Sequence, residues 1–195
     1  ANTFGANAHK LDGAATVADV FAAAIACARA AGAHYVAGDI GPIGALLRPL
    51  GTLSFDEAYD LFAEEVRAGV DAGVDLFIIE TMTDLAEIKA AVLACRENSD
   101  LPVFATMTFE EDGRTFLGTS PEVAAITLDA IGADVLGINC SQGPAELRGL
   151  AARMLTVTDK PVMVQANAGL PHVDDDGNTV FDIQAPEYAE AVAGM

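Results

Sequence analysis

Gly73-Val74-Asp75-Leu76-Phe77-Ile78-Ile79-Glu80-Thr81 is the stretch on which the fold turns. Four apolar residues in a row, without alternation, suit a parallel strand covered by helices. Gly73 stands where the preceding helix has to end in a left-handed residue before the strand begins. The same pattern recurs along the chain. Tyr35-Val36-Ala37, Val103-Phe104-Ala105-Thr106-Met107, Val135-Leu136-Gly137-Ile138 and Val162-Met163-Val164 are further apolar runs, and Gly32-Ala33-His34 and Gly132-Ala133-Asp134 repeat the glycine junction. At Asp100-Leu101-Pro102 and Asp159-Lys160-Pro161 a proline stops the helix instead. The runs start 27 to 41 residues apart, the length of a βα unit.

Helix starts are marked as clearly. Ser54 with Glu57 and Asp84 with Glu87 read as capping boxes, and Pro121, Pro144 and Pro186 suit first-turn positions. Phe55, Ala58, Phe62 and Val66 form one apolar face, and Leu85, Ile88, Val92 and Cys95 another. Five such units in series fit two architectures, an open doubly wound sheet or a (β/α)8 barrel, and periodicity alone leaves both open.

The chain has 195 residues, 29 acidic against 10 basic, for a net charge of −19. That charge repels phosphate backbones and anionic headgroups, so nucleic acid and membrane surfaces are not expected partners. With 52% hydrophobic residues the chain can build a core, and disorder is excluded. The longest apolar stretch, Val20 to Ala33, contains Arg29 and is too short to span a bilayer. Cys27, Cys95 and Cys140 are an odd number of widely spaced cysteines with no secretory segment ahead of them, which points to a reducing, cytoplasmic setting. Cys27 and Cys95, on helices among alanines, are expected to be buried small hydrophobes. The chain opens without an initiator Met and closes on a helical run, as expected of one domain over residues 1–195 truncated at both ends.

In either architecture ligands bind beyond the carboxyl ends of the strands. The residues there are Asn2-Thr3-Phe4, Gly38-Asp39-Ile40-Gly41-Pro42, Glu80-Thr81, Thr108-Phe109-Glu110, Asn139-Cys140 and Gln165-Ala166-Asn167-Ala168-Gly169. None of Lys10, Lys89 and Lys160 ends a strand, so Schiff-base chemistry is not expected. His9, His34 and His172 lie off the strand tips too, and no dinucleotide fingerprint follows the first strand. Cys140 enters a turn, Ser141-Gln142-Gly143-Pro144, at a helix N-terminus, where a thiolate gains from the helix dipole or a metal. Glu80 at a strand end is placed to hold a substrate ammonium group, or simply to start the next helix. Asn167 reads equally as a site residue or as a plain turn residue.

Four motifs in order carry a resemblance. Asn2-Thr3-Phe4-Gly5, Glu80-Thr81-Met82-Thr83-Asp84 with Lys89-Ala90-Ala91, Gly137-Ile138-Asn139-Cys140-Ser141 with Gly143-Pro144, and Asn167-Ala168-Gly169-Leu170-Pro171 resemble the homocysteine S-methyltransferase domain family. The likeness is greatest to the homocysteine-binding domain of cobalamin-dependent methionine synthases. It implies a (β/α)8 TIM barrel, of which this chain would cover strands two to seven, and methyl transfer to the thiol of homocysteine giving methionine. Zinc (Zn2+) held by three cysteines would activate the thiolate, with Cys140 the first ligand and the other two beyond Met195. The methyl donor would be methylcobalamin, with cobalamin and folate on other modules of the same polypeptide, or a sulfonium compound. By the same resemblance Glu80 would bind the substrate ammonium group, Asn2, Thr3 and Phe4 would line the pocket, Asn139 would buttress the metal loop, and Asn167 would approach the zinc. Asp39 is a further pocket candidate. With one zinc cysteine of three, the isolated chain is expected to be inactive. A non-catalytic substrate-binding or interaction module, and a corrinoid-linked methyltransferase acting on another thiol or amine, are the competing expectations.

Overall fold

The computed structural model describes residues 1–195 except Leu170, Asp175 and Asp182, so Leu170 of the fourth motif lies outside the described residues. In chain order the elements are α1 (Ala8–Leu11), α2 (Val17–Ala30), β1 (Ala37–Ile40), α3 (Phe55–Ala72), β2 (Leu76–Met82), α4 (Leu85–Asn98), β3 (Val103–Met107) and α5 (Pro121–Ala130). They continue with β4 (Val135–Asn139), α6 (Pro144–Met154), β5 (Val162–Gln165), the hairpin β6 (Pro171–Val173) and β7 (Thr179–Phe181), and α7 (Ala185–Ala193).

Strands β1 to β5 form one parallel sheet in consecutive order. Right-handed crossovers between successive neighbours carry every connecting helix to the same side, and the order never reverses. That removes the doubly wound alternative and leaves the arc of a barrel wall. Burial agrees. On the helix side Phe77, Ile79, Val103, Ala105, Leu136 and Ile138 are fully buried, whereas Leu76, Ile78, Phe104 and Val135 on the other face are half-buried. Gly38 and Gly69 make room for the Phe77 ring, because a Cβ at either would lie 2.9 or 2.7 Å from it.

The glycine junctions form as read, with Gly32, Gly73 and Gly132 at φ 86°, 81° and 94°. Two of them end in a repeated clamp. Asp75 Oδ2 accepts Val36 N–H at 2.6 Å and the Arg29 guanidinium, which also donates to Gly73 O. Asp134 Oδ2 accepts Val103 N–H at 2.8 Å and the Arg96 guanidinium, which also donates to Gly132 O. Each arginine stands seven residues ahead of its valine, so the clamp ties a helix end, the following strand and the next junction together.

Some local expectations shift. The first run forms a strand only from Ala37; Val36 N–H donates to Asp75 and Tyr35 is exposed. Asp39 therefore lies within β1. Residues 1–6 make no ladder. They dock on β1 through Thr3, whose hydroxyl donates to Asp39 O and accepts Asp39 N–H, both at 2.8 Å. The Ser54–Glu57 box forms, but Asp84 caps α4 through Ala86 N–H while Glu87 turns away to accept Ile43 N–H at 2.8 Å. Cys95 is fully buried as expected, but Cys27 is exposed, because α2 buries only the Val17, Phe21 and Ile25 side. Phe55 is exposed as well.

Candidate functional site at the carboxyl ends of the strands

The end of β2 departs from regular pairing. Three steps from Ile79 to Met82 lie opposite two from Ala105 to Met107, so Glu80 and Thr81 form a bulge. Thr81 there has φ +62°, rare for a β-branched residue.

Asn139, at the end of β4 and 1% exposed, reaches across β3 to that bulge. Its Oδ1 accepts Thr81 N–H and the Thr106 hydroxyl, both at 2.9 Å. Its Nδ2 donates to Thr81 Oγ1 at 2.7 Å and to Cys140 Sγ at 3.3 Å, and its carbonyl accepts the Thr108 hydroxyl at 3.0 Å. Strands that are not neighbours are thereby bridged on the inner face.

Cys140 and Ser141 both take φ +60°, which turns the chain sharply out of β4. Cys140 N–H donates to Gln165 O at 3.0 Å, and Asn167 N–H donates to Gln142 O at 3.0 Å. The Gln142 side chain donates to Glu110 O at 2.7 Å. Loops after β3, β4 and β5 are thus joined around Cys140, which is half-buried. Beside this turn lies a cleft of about 640 Å³ walled by Glu110, Glu111, Ser141, Gln142, Gly143, Glu146, Gly169 and Ile183.

Two carboxylates share the inner face on the other side of Asn139. Asp39 pairs in register with Ile78, and Glu80 lies two residues further along β2. Burial raises the Asp39 carboxyl to about 7, helped by the negative charge of Glu80. Burial raises Glu80 as well. Asp39 Oδ1 is buried with no hydrogen-bond partner among the described residues.

The model of the homocysteine S-methyltransferase family matches residues 1–195. The chain belongs to this family. It is 35% identical over 167 residues to proteins named methionine synthase from Mycobacterium leprae and from Mycobacterium tuberculosis, a match covering 83% of this chain and 14% of each of theirs. The chain therefore spans about one seventh of the length of these relatives. Among solved structures it resembles the homocysteine methyltransferase MmuM from Escherichia coli in its metallated form, with TM-score 0.71 and 21% identity over 84% of this chain and 64% of that one. The oxidised form of the same enzyme gives TM-score 0.73 at 19% identity over 84% and 63%. These likenesses show the fold, part of a (β/α)8 barrel.

In this member of the family the expected residues fall into two groups. Glu80, Asn139 and Cys140 are joined through Thr81, and Asp39 lies beside Glu80 on the same face. Asn167 is attached to the Cys140 turn through its backbone. Thr3 is buried with its hydroxyl committed to the β1 backbone, Phe4 is half-buried beneath the Lys10 ammonium at 5.4 Å, and Asn2 is exposed. The zinc expected from the resemblance finds one sulfur donor here. Cys27 and Cys95 lie away on α2 and α4, and no group of three His, Cys, Asp or Glu among the described residues could hold a metal ion. On their own, the described residues do not fit a complete zinc site.

Thr81, Thr106, Thr108 and Gln142 had no assigned role in the sequence. Phe104, Thr106 and Thr108 alternate, a period that marks two of the three threonines as sharing one strand face. Nothing in the sequence marks Thr81 as left-handed.

Proposed function

We propose that residues 1–195 form the homocysteine-binding part of a cytoplasmic methyltransferase that methylates the homocysteine thiol to give methionine. The observation that carries this reading is the bridge joining Glu80 to Cys140 through Thr81 and Asn139, in a chain matched along its whole length by the family. Glu80, with Asp39 beside it, binds the substrate ammonium group. A carboxylate at a half-buried position holds an ammonium through charge-assisted hydrogen bonds that water screens only weakly. Asn139 fixes the turn at which the thiol end is presented, Thr3 and Phe4 shape the wall next to Asp39, and Asn2 and Asn167 complete the rim.

Cys140 is one proposed sulfur ligand of Zn2+, with the other two cysteines supplied from outside these residues. Bound zinc favours the thiolate over the thiol. A methylcobalamin module, alongside a folate module of the same polypeptide, is the proposed methyl donor, and a sulfonium compound is the alternative. This chain's own part is to orient one amino acid so that its sulfur faces the donor.

The test is titration of the full-length protein with homocysteine and with 4-mercaptobutanoate, which lacks the amino group. Wild type should prefer homocysteine, and Glu80→Gln should weaken homocysteine about tenfold while leaving 4-mercaptobutanoate nearly unchanged. Equal affinities in wild type would refute the assignment of Glu80 and the amino-acid acceptor with it.

A further inference from the structure

We propose that Thr81 is a positioning residue that keeps the Glu80 carboxylate in register with the Cys140 turn, so that the site reads the separation between the amino group and the thiol of one ligand. The inference deepens the homocysteine reading and rests on it.

The orientation of the Asn139 carboxamide follows from its partners. One of its two polar atoms faces Thr81 N–H and the Thr106 hydroxyl. Thr81 N–H can only donate, so that atom is the oxygen. The nitrogen then faces Thr81 Oγ1 and Cys140 Sγ, with one hydrogen for each. Because Thr81 Oγ1 accepts from Asn139, its own proton is available to Cys140 Sγ, 3.7 Å away. Thr81 thus meets the Cys140 end with its hydroxyl, while its backbone carries Glu80 one residue before it.

The backbone supports the same reading. A branched residue at φ +62° inside a strand persists only where its surroundings hold it there. At Thr81 they do so with two reciprocal hydrogen bonds to one side chain, reaching across 58 positions of sequence. Relaxing the bulge would swing Glu80 relative to Cys140, because the two share no hydrogen bond among the described residues and are registered through this residue.

Three variants of the full-length protein separate the outcomes. Thr81→Ser keeps the hydroxyl. Thr81→Val keeps the branched shape without it, and Thr81→Gly removes the side chain while suiting the left-handed backbone. The readout is the ratio of the dissociation constants for homocysteine and 4-mercaptobutanoate, with the melting temperature recorded alongside. Serine should keep the wild-type preference for homocysteine, whereas valine and glycine should shrink it by about fivefold or more, chiefly through weaker homocysteine binding. A preference retained in both valine and glycine variants overturns the positioning role and leaves the homocysteine reading standing. Equal weakening of both ligands shows a merely structural role and overturns it too. No preference in wild type overturns both.

Discussion

Replacing Asn139 with alanine removes the acceptor for Thr81 N–H and Thr106 O–H and the donor to Thr81 Oγ1 and Cys140 Sγ. The losses are unequal. The Thr106 hydroxyl has a second acceptor in Ile79 O at 3.4 Å, so it can turn, but Thr81 N–H has no other acceptor among the described residues. An orphaned backbone donor costs about 1–3 kcal/mol, and the remaining bonds contribute roughly 1 kcal/mol net. The cavity left by a carboxamide adds about half a kcal/mol. The expected loss is therefore about 2.5–4.5 kcal/mol, measured by urea denaturation of this chain with its m-value held in view. A double-mutant cycle with Thr106→Val isolates the bond between the two side chains, and its coupling should be about 1 kcal/mol. An Asn139→Ala loss below about 0.5 kcal/mol would mean that the carboxamide does not hold the bulge, and the argument built on it would fail, whereas additive effects in the cycle would mean that the Thr106 hydroxyl turns to Ile79 O without cost.

Three other outcomes are expected. Glu65 on α3 is fully buried with both carboxylate oxygens unpartnered among the described residues, so Glu65→Met should raise the melting temperature, by about 2–4 °C for each kcal/mol recovered; a lower melting point would show that the carboxylate has a partner. Burial raises Glu87 from 4.5 to about 7, and a raised folded-state value gives stability that is complete below the unfolded value and lost as pH climbs through the folded one. Thermal stability should accordingly fall between about pH 4.5 and 7, by about 3 kcal/mol from Glu87 and in the same direction from Asp39, and Glu87→Gln should flatten the slope; a rise over that window in wild type contradicts the reasoning. Arg96→Met should free Asp134 from its ion pair and raise that carboxyl, which the Val103 N–H and Arg96 otherwise hold low against desolvation; an Asp134 titration by NMR that does not move upward would rule out the clamp.

Much of the fold was legible in sequence. The Gly32, Gly73 and Gly132 junctions, the Ser54–Glu57 box and the starts of β2, β3, β4 and β5 depend on residues within a few positions of one another, and local chemistry suffices for them. Where a distant group competed, the reading shifted. Ile43 drew Glu87 out of its capping box from 44 residues away. For Cys27 the apolar face of α2 was narrower than its run of alanines suggested.

The site divides in the same way. The polar residues at the strand ends, and the motifs that carry the family, stand in the sequence itself: Glu80, Asn139 and Cys140 are recognisable there without any coordinates. What joins them was decided by tertiary structure. The bulge at Glu80-Thr81 exists only against the register of β3, and the Asn139–Thr81 pairing spans β3 between strands that are not neighbours. A one-residue change of register would turn Asn139 to the helix side, with the local sequence unaltered. Sequence alone determined the order of βα units and the chemistry at their ends, because caps, breakers and apolar runs act over a few residues. The link between the Glu80-Thr81 bulge and the Cys140 turn waited for the folded sheet, because it depends on which faces the pleat brings together.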